Sequence, residues 1–218
     1  MNQSIQVKTA LPSVVVPMVL FILLVTFLSP VLVAQKVPAK SFLVCGDSKV
    51  LIVDYDQSSD SLPHVIWTWD AHLAQDLPED FRTKKFNSTD DCKAIKRGEQ
   101  IMVSSSSGAI AVVNVRDKKV VFHAAVPNAH SVEVLPGNRI VAAASTHAQG
   151  NKIMVFDLAM PAKLIFTDSL YSAHGVVWNA KRERLYALGY DELREYRSTG
   201  QWRTFQVREM DNSRYWRP

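Results

Sequence analysis

Two histidines take matching places in a sequence that repeats itself. The segment beginning His130-Ser-Val-Glu-Val-Leu-Pro-Gly-Asn-Arg returns, 44 residues later, as the altered copy beginning His174-Gly-Val-Val-Trp-Asn-Ala-Lys-Arg-Glu. Imidazole is a common metal ligand, and it also gains or loses a proton near neutral pH. If the fold brings the copies together, His130 and His174 are candidate ligands for a divalent metal ion, the one cofactor that the sequence suggests.

Further polar residues fall in places related to these histidines. Asp90, Asp91 and Cys92 take the equivalent place one predicted blade earlier. If the site is catalytic, we expect Asp91 or Tyr190 to transfer protons, since positioned carboxyl and phenol groups do this work in enzymes. The remaining candidates are ligand-binding residues in turns between apolar runs: Asp47, His147 and Asp191. Turn residues on a rigid scaffold often carry binding functions.

The elements that position these residues are strands. Runs of five to eight β-branched and aromatic residues alternate with turn clusters, and the pattern repeats at roughly 40 residues, which is typical of β-propeller blades. We therefore predict an all-β fold, a β-propeller of four-stranded blades within 41–207, with about four blades present. The predicted blades are 41–70, 92–126, 130–167 and 174–207.

The first predicted blade lacks an innermost strand, because only 35–40 stand between it and the preceding apolar segment. We expect the chain to be incomplete relative to a six- to eight-bladed parent. An open propeller edge exposes unpaired backbone groups, so we also expect self-association through that edge. The stretch 71–90 is long for a blade connection and is a candidate lid over the face that carries the histidines.

The amino terminus has the pattern of an export signal. Lys8 is the only charged residue before an uncharged apolar run from Leu11 to Ala34. This pattern predicts that 1–34 is a signal peptide, followed by a linker over 35–40, and that the protein is secreted or periplasmic. The alternative is an uncleaved anchor of about 20 apolar residues facing out of the cytoplasm, and in that case the segment is the one contact with a membrane.

Charge and cysteine content bear on the partners of the protein and on the state of its thiols. A formal net charge of +4, spread along the chain, predicts no nucleic-acid partner. Arginines outnumber acidic residues from Arg194 to Arg217, and we predict that 208–218 form a C-terminal tail. The two cysteines, Cys45 and Cys92, leave two alternatives open: a disulfide in an oxidising compartment, or two buried free thiols.

Taken together, three elements resemble an uncharacterised family of secreted bacterial β-propeller proteins: Phe42-Leu-Val-Cys-Gly-Asp-Ser-Lys-Val-Leu-Ile-Val-Asp54, the element at His130 and the element at His174. The resemblance covers roughly 41–197. More distantly, histidines that open inner strands are similar to those of oligogalacturonate lyases, in which clustered histidines hold a divalent metal.

Three functions remain open on this basis. The first is a non-cytoplasmic ligand-binding protein that binds carbohydrate at the channel face. By this name we mean the face of the propeller on which the loops with the candidate residues open around the central channel. The second is a metal-assisted polysaccharide lyase or hydrolase. The third is a protein-interaction scaffold, since propellers host all three and the fold alone does not choose between them.

Overall fold

The computed structural model describes residues 35–158 and 163–198, together with the backbone of 205–210. The predicted signal segment 1–34 and most of the predicted tail, 211–218, lie outside the described residues. Helical structure in the described part is limited to short turns at Ala71–Leu73, Phe81–Lys85 and Lys96–Gly98. None of the helices found there has the length and apolar character to cross a membrane.

Antiparallel strands form four separate sheets, each built from consecutive strands. The first sheet contains β1 (Ser41–Gly46), β2 (Lys49–Ser59) and β3 (Leu62–Asp70). The second contains β4 (Thr89–Ile95), β5 (Gln100–Ser105), β6 (Ala109–Asn114) and β7 (Val120–Ala125). The third contains β8 (Ala129–Leu135), β9 (Arg139–Ala144), β10 (Lys152–Asp157) and β11 (Leu164–Ser169). The fourth contains β12 (Gly175–Asn179), β13 (Arg184–Leu188), β14 (Leu193–Ser198) and β15 (Phe205–Met210).

Turn residues explain why neighbouring strands pair within one sheet. Gly137 and Asn138 connect β8 to β9 with φ angles of 74° and 60°. Glycine and asparagine adopt this left-handed backbone region more readily than other residues, so a tight hairpin forms there. The local sequence therefore joins consecutive strands within one sheet.

The sheets pack against each other in chain order. A first core cluster, which includes Trp67, Trp69 and Ile101, joins the first and second sheets. A second cluster joins the second and third sheets, and a third cluster, which includes Tyr196, joins the third and fourth. The strands β4, β8 and β12 contact one another in that order, and β1 contacts β4. Successive sheets with adjacent inner strands are propeller blades, which confirms the predicted fold class.

The first blade has three strands in the described part of the chain, and its backbone contacts identify which one it lacks. Ala71 N donates to Ser48 O at 2.9 Å, as Val126 N donates to Gly108 O and Leu170 N donates to Asn151 O in the next two blades. The turn at Ser48 thus corresponds to the turn between the second and third strands of a complete blade. β1, β2 and β3 are therefore the second to fourth strands, and β1 lies at the edge of its sheet.

Before β4 begins at Thr89, the stretch 71–90 packs along the first and second blades rather than over the face with the histidines. Leu77 and Phe86 are buried in the first core cluster. Phe81 contacts the His123 ring of the outer strand β7 at 4.8 Å between centroids, and Asp76 Oδ2 accepts a hydrogen bond from Val120 N. Its length is explained by these core contacts, and the interpretation of the stretch as a lid is not supported.

Candidate functional site

Three consecutive blades bring Asp90, His130 and His174 into one row, which we call the rim row. The imidazole rings of His130 and His174 stack with centroids 4.5 Å apart and planes inclined by 20°. Asp90 Oδ1 lies 3.6 Å from His130 Nδ1. The two predicted metal ligands are therefore brought together, and a carboxylate extends the row into the second blade.

A β-bulge places two members of this row. Between β4 and β5 the pairing shifts from Thr89–Ser105 to Asp91–Ser104, which leaves Asp90 as the extra residue. Between β8 and β9 the same shift leaves His130 unpaired. A bulge turns a side chain out of the regular alternation of a strand. Asp90 therefore corresponds to His130, whereas the sequence pattern indicated only the group Asp90, Asp91 and Cys92.

The surroundings of the two imidazoles orient their ring nitrogens. His174 Nδ1 lies 3.0 Å from the backbone oxygen of Ser172 and 3.2 Å from Ser145 Oγ. Because a carbonyl oxygen can only accept, the proton of a neutral His174 ring sits on Nδ1, and Nε2 is left as an acceptor. Burial lowers the pKa of His130, while Asp90 acts in the opposite direction and His174 adds to the lowering. His130 is accordingly neutral at pH 7.

This electrostatic arrangement leads to a prediction about titration. In an NMR titration, His130 should show a pKa below its ordinary value of 6.5. Asp90→Asn should lower that pKa further because it removes a neighbouring negative charge, and His174→Ala should raise it. Since the folded pKa is depressed, the contribution of His130 to stability is present above pH 6.5 and is lost as the pH falls through the folded pKa. A His130 pKa above 6.5, or shifts of the same sign in both variants, would contradict this arrangement.

Asp91, the predicted proton-transfer residue, lies between the inner strands of the second and third blades. Its Oδ2 accepts hydrogen bonds from Ser131 Oγ at 3.0 Å and from Val132 N at 3.2 Å, and it lies 3.0 Å from Lys93 Nζ. Ser131 Oγ also accepts a hydrogen bond from Val176 N at 3.3 Å, which extends the link to the fourth blade. We call this connection the inter-blade link. It gives Asp91 a structural role, while its role in proton transfer stays a prediction.

The predicted ligand-binding residues lie in exposed turns at the end of the sheets where the inner strands begin. Asp47 is exposed, and its backbone oxygen accepts from Thr89 N at 2.8 Å. His147 is exposed, and its Nδ1 accepts from Gln149 N at 3.0 Å. Asp191 is exposed in the turn between β13 and β14. Their roles in ligand binding stay predictions.

An aromatic pair, Tyr171 and Tyr190, lies in the two loops next to His174 and Leu188, and the sequence predicted only one of its members. Tyr190, predicted for proton transfer, is 77% exposed, and Tyr171 is 57% exposed. Their rings meet edge to face with centroids 5.9 Å apart. Sequence reasoning missed Tyr171, although its position three residues before His174 in the same blade connection could have indicated it.

The rim row does not supply a full set of ligands for the predicted metal ion. Among the residues that the structure describes, no group of three or more histidine, cysteine, aspartate or glutamate side chains is placed to hold one. In the rim row, Asp90 lies next to His130 Nδ1. A carboxylate in this position orients the imidazole ring and does not act as a third metal ligand. The described residues therefore do not form a complete metal site, and metal binding stays a prediction from the sequence.

A lateral cavity of about 650 Å³ lies at the periphery of the first two blades. It is lined by Trp69, Asp70 and the 73–76 stretch, together with the turn at Asp117. None of the rim row residues lines it. The cavity has the volume of a small-molecule pocket, yet none of the candidate residues singled out by the sequence pattern lines it.

Comparison with solved structures supports the fold. Over 75% of its length, the chain is similar to a chain of the "Crystal Structure of Mitotic Checkpoint Complex", a WD40-type propeller, with a TM-score of 0.55 and 10% identity. The match covers 45% of that chain, so this sequence spans less than half of the neighbour's length. At this identity the likeness shows the fold alone.

Comparison at the sequence level gives a family and no function. No curated protein matches the chain. A family model described as "Family of unknown function (DUF6528)" matches residues 31–192, which includes β1 to β13 and the whole rim row. Because this match covers far more than half of the sequence, the chain belongs to that family of unknown function.

Proposed function

We propose that this protein binds a carbohydrate at the channel face, across the rim row and the tyrosine pair Tyr171 and Tyr190. The observation that carries the proposal is the exposure of both tyrosines, at 57% and 77%. The backbone joins the loops that carry them to His174, since His174 N donates to Leu188 O and Tyr190 N donates to Tyr171 O. A sugar ring has an apolar face of C–H groups that packs on an aromatic ring, and hydroxyl groups at its edge that need hydrogen-bond partners. Tyrosines next to imidazoles and a carboxylate offer both kinds of contact.

The two tyrosine-bearing loops are held together before any ligand arrives. Tyr190 N donates to Tyr171 O at 3.0 Å, and Ser172 N donates to Asn151 Oδ1 at 3.0 Å. A Cβ atom at Gly189 would lie 2.7 Å from Leu170 Cδ1 and 2.8 Å from Tyr171 O, so only glycine permits this close approach. A preformed surface loses less conformational entropy on binding than a flexible one, which favours a binding function.

The charges of the rim row favour an uncharged ligand. The pKa of His130 is lowered by burial, so at pH 7 this ring can both donate and accept a hydrogen bond. Asp90 brings a negative charge to the same row, where it accepts a hydrogen bond from Ser106 N at 2.6 Å and lies beside His130. A neutral saccharide fits this surface better than an acidic one, because a second carboxylate would be repelled.

A protein-interaction scaffold is the second candidate, and a different surface favours it. On the first blade, Phe42 and Val44 are 46% and 40% exposed, and Leu62 is 72% exposed. Apolar side chains grouped on one blade are typical of contact surfaces. The metal-assisted lyase or hydrolase stays an untested alternative, and it would use the same rim row.

Secretion or periplasmic location is part of the proposal. It is supported by the uncharged run from Leu11 to Ala34 and by the resemblance to exported propellers. Membrane contact through an uncleaved amino-terminal segment remains the alternative.

Binding can be measured by calorimetry with a panel of neutral and acidic oligosaccharides. We expect at least one neutral oligosaccharide to bind, and we expect Tyr190→Ala to weaken that binding about tenfold, through lost ring contact worth roughly 1.4 kcal/mol. Tyr55→Ala is the matched control, since Tyr55 is 71% exposed on the first blade, and its affinity should equal that of the wild type. No binding across the panel, or equal losses in both variants, would overturn the proposal.

A further inference from the structure

Cys45 and Cys92 face each other across the first and second blades. Cys45 lies on β1 and Cys92 on β4, two strands that contact each other. Both side chains are half-buried and pack against the same core cluster. Their thiols are free and hydrogen-bond to each other. The sequence left a disulfide and two separate thiols as alternatives, and the fold makes the two sulfur atoms neighbours.

The two thiols are not equivalent. The hydrogen bond from Cys92 lowers the pKa of Cys45, and a hydrogen bond from Thr89 acts in the same direction. The same hydrogen bond to Cys45, together with burial, raises the pKa of Cys92. Because the thiolate is the reacting form, Cys45 is the better first nucleophile and Cys92 is placed to react second.

We propose that Cys45 and Cys92 form a redox modification site, at which exchange with a small-molecule or protein disulfide links the first blade to the second. In the first step, Cys45 Sγ attacks one sulfur of the incoming disulfide and releases the other as a thiolate. In the second step, Cys92 loses its proton and attacks Cys45 Sγ, which releases the second thiol. The two protein thiols are oxidised, and the incoming disulfide is reduced to two thiols.

The position of this pair gives the bond a structural consequence. The first blade has three strands in the described part of the chain, and β1 is its edge strand. A bond between Cys45 and Cys92 closes a loop around the 46 residues that separate them, which include β2, β3 and the stretch 71–90. Closing a loop of this length restricts the unfolded chain and should raise Tm by about 10 °C.

The experiment compares the purified full chain in fully reduced form with the same protein after equilibration with excess oxidised glutathione in mildly alkaline buffer. Intact mass, thiol alkylation and a non-reducing gel report the state of the cysteines, and calorimetry reports Tm. We expect a product that has lost two hydrogens and has no disulfide between chains, no alkylatable thiol, and a Tm about 10 °C above that of the reduced form.

Cys45→Ser and Cys92→Ser are the matched controls. Each single variant should retain a glutathione adduct or a free thiol, and neither should gain the rise in Tm. The mass of the wild-type product shows whether the disulfide has formed, even if a variant is poorly folded. Two alkylatable thiols after equilibration, a lasting glutathione adduct on the wild type, or a bond between chains would overturn the proposal.

Discussion

Replacing Asp91 by alanine should lower the free energy of unfolding by about 3 kcal/mol, which corresponds to a fall in Tm of about 10 °C. The carboxylate accepts hydrogen bonds from Ser131 Oγ and Val132 N and pairs with Lys93. Its removal leaves Ser131 Oγ and Val132 N without this acceptor between packed blades, while Lys93 keeps its hydrogen bond to Val132 O at 2.8 Å. An unpaired polar group there costs more than the hydrogen bond was worth. Chemical denaturation of the purified variant measures the effect.

A matched substitution separates this effect from the general loss of an aspartate. Asp56 also pairs with a lysine, Lys40, at 2.8 Å, but the side chains of the pair are 53% and 75% exposed. Exposed pairs contribute little, so Asp56→Ala should change the free energy of unfolding by less than about 0.5 kcal/mol. Equal losses in the two variants would show that the inter-blade link does not join the blades as we describe.

The second large effect is expected in self-association. The edge strand β1 carries exposed Phe42 and Val44, and we expect the wild type to associate through this strand at micromolar concentration. A lysine on an edge strand opposes pairing with a second chain, because its charge would be buried in the contact. Val44→Lys should therefore weaken association at least tenfold, as measured by sedimentation equilibrium.

The control for this experiment is Val121→Lys. Val121 is 43% exposed on the outer strand β7, away from the first blade's edge, so its replacement should leave association unchanged. A wild type that stays monomeric at the highest concentration reached, or the same weakening in both variants, would rule out association through β1.

The architecture could be predicted from the sequence because its signals are local. Turn residues such as Gly137 and Asn138 stand where a left-handed backbone is needed, and apolar runs between turns have the length of strands. The repeat at His130 and His174 then indicated that successive sets of strands are equivalent. In the structure, His130 and His174 take equivalent places in consecutive blades, and their rings stack.

The part of the site that the sequence did not show depends on single-residue changes in register. β4 and β8 carry the same bulge, so Asp90 takes the place of His130 and joins the rim row, while Asp91 lies in the inter-blade link. Alternation along a strand cannot reveal a bulge, because the extra residue is recognised only from the pairing. The closeness of Cys45 to Cys92 was hidden for a similar reason, since it depends on how two blades pack.

The ring nitrogens of His130 and His174 report directly on whether the rim row is a binding surface. In a long-range nitrogen–proton NMR experiment, addition of the best-binding oligosaccharide should shift the Nε2 signals of both imidazoles, while the Nδ1 signals, which face Asp90 and Ser172, change little. Saturating ligand that leaves both Nε2 signals unmoved would place the binding site elsewhere and contradict the account.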